Sequence, residues 1–242
     1  MRTPGPQPVS AAEAARDLVL VLGGLYLVKV LLLNIDTLWT YAGPISLVAS
    51  LGVAFLCLRL GKESWSSIGL KRPESIPGML LWTVVILVAT MGVGVVVESA
   101  VSSLFGSAEG VLPEVDERFE NRFANLPGNV LVYFQWVAIA WIVGGFVEEL
   151  LFRGFLISRF ERLFSSAPFS IAIAIVLQAV VFGHQHFYYQ GMTGALATGT
   201  IALVSGTFFV LLKRNIWPLI LSHGLANSLA LSLIFLGVIP PP

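Results

Sequence analysis

The chain has 242 residues, of which 56% are hydrophobic and 12% charged, and its formal net charge at pH 7 is zero. An average soluble domain is about 25% charged, so this composition, with a mean hydropathy of +0.86, excludes an ordinary water-soluble protein and makes the bilayer the expected solvent. The bases are scattered through short loops, which argues against nucleic acid as a partner, and the single Cys57 excludes an internal disulfide and a cysteine-based zinc site.

Runs near 20 residues with few charges mark membrane-spanning helices. The first is predicted at roughly 18 to 35. Its apolar stretch, from about Asp17 to Leu33, is long for a signal-peptide core and has no small-x-small cleavage pattern behind it, so it is read as a retained helix. Lys29 lies inside it and is expected to snorkel to the interface or to pair. Further spans are predicted at roughly 44 to 60 and 77 to 99, with Glu98 reaching the interface. The one long connection, 100 to 129, is acidic, contains Pro113 and Pro127, and is expected at the outer surface with an interfacial helix near 114 to 124 or a gating role. Four spans follow, at roughly 130 to 158, 168 to 187, 192 to 212 and 216 to 238. Gly194, Gly199, Ser205 and Gly206 in the sixth, like Gly144 and Gly145 in the fourth, allow helices to approach closely, and Gln135 and Gln178 are expected to hydrogen-bond between helices. The predicted fold class is all-α: one domain over 1–242, a polytopic membrane bundle of about seven helices around an internal cavity.

Lys and Arg in short loops stay on the cytoplasmic side. Arg2, Arg16, Arg59, Lys62, Lys71, Arg72, Arg153, Arg159, Arg162, Lys213 and Arg214 fall on one side, against Arg118 and Arg122 on the other. This count predicts a cytoplasmic N-terminus and an external Pro242, in a plasma membrane. Short loops and minimal length favour a prokaryotic source.

Against this apolar background, Glu148, Glu149 and Arg153 stand out. An ionisable group in hydrocarbon costs about 2.5–3.5 kcal/mol or more, so three together imply pairing, water or chemistry. On a helix i and i+4 share a face. Glu149 should therefore pair with Arg153, an electrostatic and structural role. Glu148 is left pointing elsewhere with no cation beside it, which suits a general base that takes and returns a proton. Phe182 and His186 are likewise i and i+4, whereas His184 should look away from that face. His223 and Asn227 form a third such pair, two donors suited to a developing oxyanion or, more plainly, to interhelical hydrogen bonding. A carboxylate base, an imidazole and a donor pair together fit addition of water to a carbonyl, as in hydrolysis of a peptide bond inside the membrane.

Glu-Glu-Leu-Leu-Phe-Arg at 148–153, Phe-Gly-His-Gln-His at 182–186 and His-Gly-Leu-Ala-Asn at 223–227 resemble, in order, the EExxxR, FxxxH and HxxxN motifs of the CPBP family, the CAAX-protease and bacteriocin-processing intramembrane endopeptidases. The resemblance covers about 130 to 230. It implies a glutamate-dependent endopeptidase in which Glu148 and His186 activate water, His223 and Asn227 stabilise the oxyanion, and Glu149, Arg153 and Phe182 support them. Glu148, His186 and His223 also have the composition of a two-histidine, one-carboxylate zinc site of a metalloendopeptidase, but the resemblance argues for metal-independent chemistry, and no cofactor is expected. The expected partners are the lipid bilayer and a membrane-associated peptide or lipidated protein substrate. Rival functions are a transporter or proton relay, disfavoured by the lack of internal symmetry, and a non-catalytic scaffold.

One geometric consequence can be tested. At about 1.5 Å per residue from Arg159, Pro168 and Ile216, Glu148 would lie about 17 Å deep, His186 about 27 Å and His223 about 10 Å. Bringing them to one level requires a strongly tilted or shifted fifth span.

Overall fold

The computed structural model describes residues 9–105, 118 and 121–240. Every regular element among them is helical: α1 (Ala11–Leu33), the short α2 (Asp36–Trp39), α3 (Ala42–Leu60), α4 (Ile76–Phe105), α5 (Val130–Leu163), α6 (Ser170–Leu211) and α7 (Trp217–Phe235). Five of these, α3 to α7, are long and apolar enough to cross a membrane. With α1, which carries Asp17 and Lys29, they account for the spans expected from the sequence. The expected interfacial helix near 114–124 falls largely outside the described residues; within them, Asn121–Phe123 is a single 3₁₀ turn.

α5 runs through the middle of the bundle, against α1, α3, α6 and α7, while α4 packs on α6 and α7 at the periphery. Leu81, Val84, Val88 and Val95 on α4 are all more than half exposed. Their 3-4-7 spacing makes one lipid-facing stripe, the inverse of a soluble amphipathic helix.

The fifth and sixth spans are the two arms of α6. Gly191 breaks the helix at φ 62°, ψ −163°, a region open essentially to glycine alone, and the arms fold back on each other. Gln178 Nε2 donates to the Ala202 carbonyl at 2.8 Å. A Cβ added at Gly183 would meet the Ala195 carbonyl oxygen at 2.5 Å and Gly199 Cα at 3.1 Å. These neighbours are backbone and cannot swing away, so Gly183→Ala is expected to cost about 1–3 kcal/mol by overpacking. Gly199→Ala, whose added methyl would find nothing closer than 3.5 Å, should be near neutral. Thermal denaturation of the two variants in detergent measures the difference.

Within α5 the hydrogen-bonding pattern changes. Val130–Ile139 is α-helical, Ala140–Leu156 is π-helical, and Ile157–Leu163 is α-helical again; the Ile157 N–H reaches the Phe152 carbonyl, five residues back. In an α-helix a four-residue step overshoots one turn by about 40°, so three steps drift about 120°. Here Ala140, Gly144, Glu148 and Phe152 all line one cavity. Such widened turns occur mostly as short insertions at functional sites.

At the end of the bundle where α5 finishes, buried ions tie the helices together. Arg159 Nε donates to Asp17 Oδ2 at 2.9 Å, its Nη2 donates to Glu63, and its guanidinium lies over the Phe155 ring. Arg159 and Asp17 are each only 1% exposed. Arg214 and Glu161 form a half-buried pair at the same end.

The strong tilt expected of the fifth span is not needed, because the helix ends differ from those assumed. α5 ends at Leu163 and α6 begins at Ser170, which puts Glu148 and His186 about 22 and 24 Å along their helices. α7 starts beneath the α3–α4 connection: Ile216 is fully buried and its N–H bonds the Gly69 carbonyl at 3.1 Å. His223, two turns on, is thereby carried to the level of the glutamates.

Candidate active site

The π-helical stretch of α5 turns Glu148 and Glu149 to different surroundings. Glu149 is buried. Its Oε1 accepts from His223 Nδ1 at 2.8 Å and lies 3.2 Å from Arg153 Nη1, the second contact being an ion pair by distance without hydrogen-bond alignment. Arg153, also buried, lies over the Phe182 ring at 4.5 Å. Arg153 therefore belongs to the bundle interior, not to a loop, and does not count toward sidedness. The i, i+4 pairing expected for Glu149 is present, and a cross-helix bond to His223 is added to it. Spacing could not show that bond, because the partners lie 74 residues apart.

Glu148 faces open space. Its Oε2 is 3.9 Å from His223 Nε2, and its side chain borders two cavities, of about 340 and about 310 Å³. Gly144, His186, Tyr189, Gln190 and Asn227 border both as well. Glu148 and His186 make no direct hydrogen bond; the space between them is shared.

His186 is oriented from behind. Its Nδ1 lies 2.8 Å from the Phe182 carbonyl oxygen. A carbonyl only accepts, so Nδ1 carries the proton and Nε2 is left as a proton acceptor. The Phe182 ring packs edge-on against Phe152 and, tilted by 40°, against His186 itself. His184 points away, with its Nδ1 3.1 Å from the Tyr26 hydroxyl on α1.

His223 has given Nδ1–H to Glu149, so Nε2 is the nitrogen left to the cavity. Asn227 sits one turn along the same helix. The absence of a side chain at Gly144 opens the space between them: a Cβ there would lie 2.7 Å from Asn227 Nδ2 and 3.7 Å from His223 Nε2. Two nitrogens therefore converge over the bare backbone of α5.

The two cavities differ in character. The smaller is the more polar of the two, bordered by Glu149, Arg153, Ser205, Ser222 and His223, and Arg153 Nε and Glu149 Oε2 are buried without partners. A polar space of this size with several such groups is suited to ordered water. The larger runs from Glu148 and Phe152 past Val143, Trp136 and Leu231 to Ile234 and Pro44, an apolar channel toward the end of the bundle opposite the buried ions. Glu148, His186 and His223 do not gather as ligands; among the described residues no group of three His, Cys, Asp or Glu side chains is placed to hold a metal ion.

Of the two outcomes expected of Lys29, the structure shows pairing: it is 6% exposed, bonds Gln185 on α6, and borders the larger cavity. Nothing in the local sequence signalled this, because Gln185 is 156 residues away. Gln135 and Gln178 do hydrogen-bond between helices, to the Tyr41 hydroxyl and the Ala202 carbonyl.

The described residues thus form an all-helical membrane bundle with two carboxylates, two histidines and an amide around enclosed space. Residues 130–229, less than half of the chain, match the family model described as type II CAAX prenyl endopeptidase Rce1-like, a family of proteases. The matched segment contains Glu148, Glu149, Arg153, Phe182, His186, His223 and Asn227 but not Lys29. Comparison with curated proteins and with solved structures gives no match.

Proposed function

We propose that this protein is an intramembrane endopeptidase that hydrolyses a peptide bond of a membrane-associated or lipidated substrate, with Glu148 as the base. The observation that carries the proposal is the placement of Glu148, His186, His223 and Asn227 around the same enclosed space, with Nε2 of His186 unprotonated. Water held between the Glu148 carboxylate and His186 Nε2 attacks the substrate carbonyl carbon, and its proton passes to Glu148. Negative charge develops on the carbonyl oxygen over Gly144, where Asn227 Nδ2–H donates to it together with His223, which in this scheme is the imidazolium, Nδ1–H bonded to Glu149 and Nε2–H free to donate. The C–N bond then breaks and the proton returns from Glu148 to the leaving amine. Glu149, held by Arg153, fixes the His223 ring through Nδ1, the orienting role a carboxylate takes behind a catalytic imidazole.

In this scheme the smaller cavity supplies water and the larger takes the peptide. No metal takes part, because the three candidate ligands are directed to separate tasks.

Sidedness follows from charge. Arg153 and Arg159 are inside the bundle; removing them from the eleven bases of one side leaves nine against Arg118 and Arg122, still a cytoplasmic bias. The larger cavity opens at the other end, so the substrate reaches the site from the non-cytoplasmic face.

The test is cleavage of membrane-anchored and C-terminally lipidated peptides by the purified protein in detergent, with and without a zinc chelator. Cleavage that the chelator leaves unchanged is expected, and a folded preparation that cuts no peptide overturns the proposal. Gly144→Ala provides a sharper check of the oxyanion position. Its methyl would displace the Asn227 amide, a movable side chain, so stability should change little while kcat falls about 10²-fold or more.

A further inference from the structure

Lys29 is a buried ammonium without a carboxylate partner. Its Nζ donates to the Gln185 carbonyl at 3.2 Å and to Gln185 Oε1, and sits 4.6 Å from the centre of the Tyr188 ring. All three neighbours are neutral. Charged groups within membrane spans usually pair with one another or meet a water-filled cavity, and an unpaired buried charge is costly. An ammonium has three N–H groups and two are used on Gln185, so a third remains for the cavity that Lys29 borders.

The surrounding groups favour an anion there. Gln185 is 5% exposed, and with Oε1 taken by Lys29 its Nε2 is buried without a partner. Arg122, on the 3₁₀ turn before α5, borders the same cavity; its guanidinium lies 4.4 Å from the Trp136 ring centre, and its Nε is buried without a partner. Burial of that guanidinium favours its neutral form, a cost that an anion would offset. Among the described residues the only acid bordering this cavity is Glu148, which the hydrolytic reaction needs for itself.

We propose that Lys29, Gln185 and Arg122 form a subsite for a carboxylate of the substrate, beside the scissile bond in the larger cavity. The proposal rests on the reading of the protein as a peptidase. Two sources share this chemistry, the C-terminal α-carboxylate of the peptide and an Asp or Glu side chain within it. Either would be held by charge-assisted hydrogen bonds from Lys29 and Arg122 and by the free Gln185 amide. Lys29 and Arg122 are specificity-determining residues in this scheme; neither touches the reacting atoms.

The experiment uses three peptides of one cleavable sequence: free acid at the C-terminus, C-terminal amide, and C-terminal amide with one acidic side chain downstream of the cleaved bond. The wild type is expected to favour the carboxylate-bearing forms by about 10- to 100-fold in kcat/KM, carried by KM, the usual worth of hydrogen bonds to a charged group. In Lys29→Met the ratio of acid to amide should fall toward one, and in Arg122→Gln it should fall partway. Preference for the free acid alone identifies the α-carboxylate as the ligand, and restoration by the side chain identifies the acidic residue. Equal use of all three by the wild type, or an unaltered ratio in a folded Lys29→Met, overturns the subsite. Should Lys29→Met not fold, Arg122→Gln and competition between acid and amide product peptides on the wild type decide the matter. Thermal stabilisation of the wild type by the three peptides is read in parallel, since it needs no cleavage: discrimination there without hydrolysis would retain the subsite and remove the peptidase, and no discrimination would remove the subsite.

Discussion

Glu148→Gln is expected to lower kcat for peptide hydrolysis by about 10²- to 10⁴-fold, the contribution of a positioned general base, with little change in thermal stability. The amide has the size and shape of the carboxylate but does not take up a proton from water under these conditions. Glu148 has 14% of its side chain exposed to the cavities, and its closest charged neighbour is His223 Nε2 at 3.9 Å, so the fold does not depend on its charge. Glu149→Gln is the informative contrast. It removes the counter-ion of a buried arginine and the acceptor of the His223 Nδ1 proton together, so both activity and stability should fall. Measuring kcat and melting temperature for both variants separates the roles; full activity in a folded Glu148→Gln would falsify the assignment of the base.

Arg159→Ala is expected to destabilise the protein by about 3–5 kcal/mol, the effect of removing one partner from a buried ion pair. The loss exceeds that of the guanidinium's packing on Phe155, because Asp17 remains buried with only Arg16 beside it and Glu63 loses its partner. Arg214→Ala, at the same end but with a half-exposed partner in Glu161, should cost only about 0.2–1 kcal/mol. Unfolding of both in a denaturant titration in mixed micelles checks the ranking, and equal effects would show that burial does not set the strength of these pairs.

What the sequence made visible here follows helical geometry. Glu149 with Arg153, Phe182 with His186, and His223 with Asn227 are one turn apart, so their shared faces can be read from spacing, and the apolar runs show where the helices lie. Interactions across helices have no such local signature. The bonds from Glu149 to His223 and from Lys29 to Gln185 depend on how α1, α5, α6 and α7 dock, and a lysine within an apolar run reads the same whether it snorkels or points inward. Depths counted from Arg159, Pro168 and Ile216 missed the common level for a related reason: α5 runs on to Leu163, α6 begins at Ser170, and Ile216 is buried beneath the α3–α4 connection. The π-helical stretch was equally hidden. Its residues are ordinary helix formers apart from Gly144, Gly145 and Gly154, and widening appears only when Ala140, Gly144, Glu148 and Phe152 are found along one wall.

The bend at Gly191 lies five residues from His186, about 7.5 Å of helix. A change of about 10° in the angle between the arms of α6 would therefore move the imidazole by about 1.3 Å, and a misplacement near 1 Å can cost about a hundredfold in rate. Under the proposed mechanism, the glycine-to-glycine contact of the two arms would calibrate a catalytic distance. Lipid pressure on the exposed outer surface of α6, or a bilayer thinner than the arms require, would be felt at the reacting atoms without any ligand contacting them.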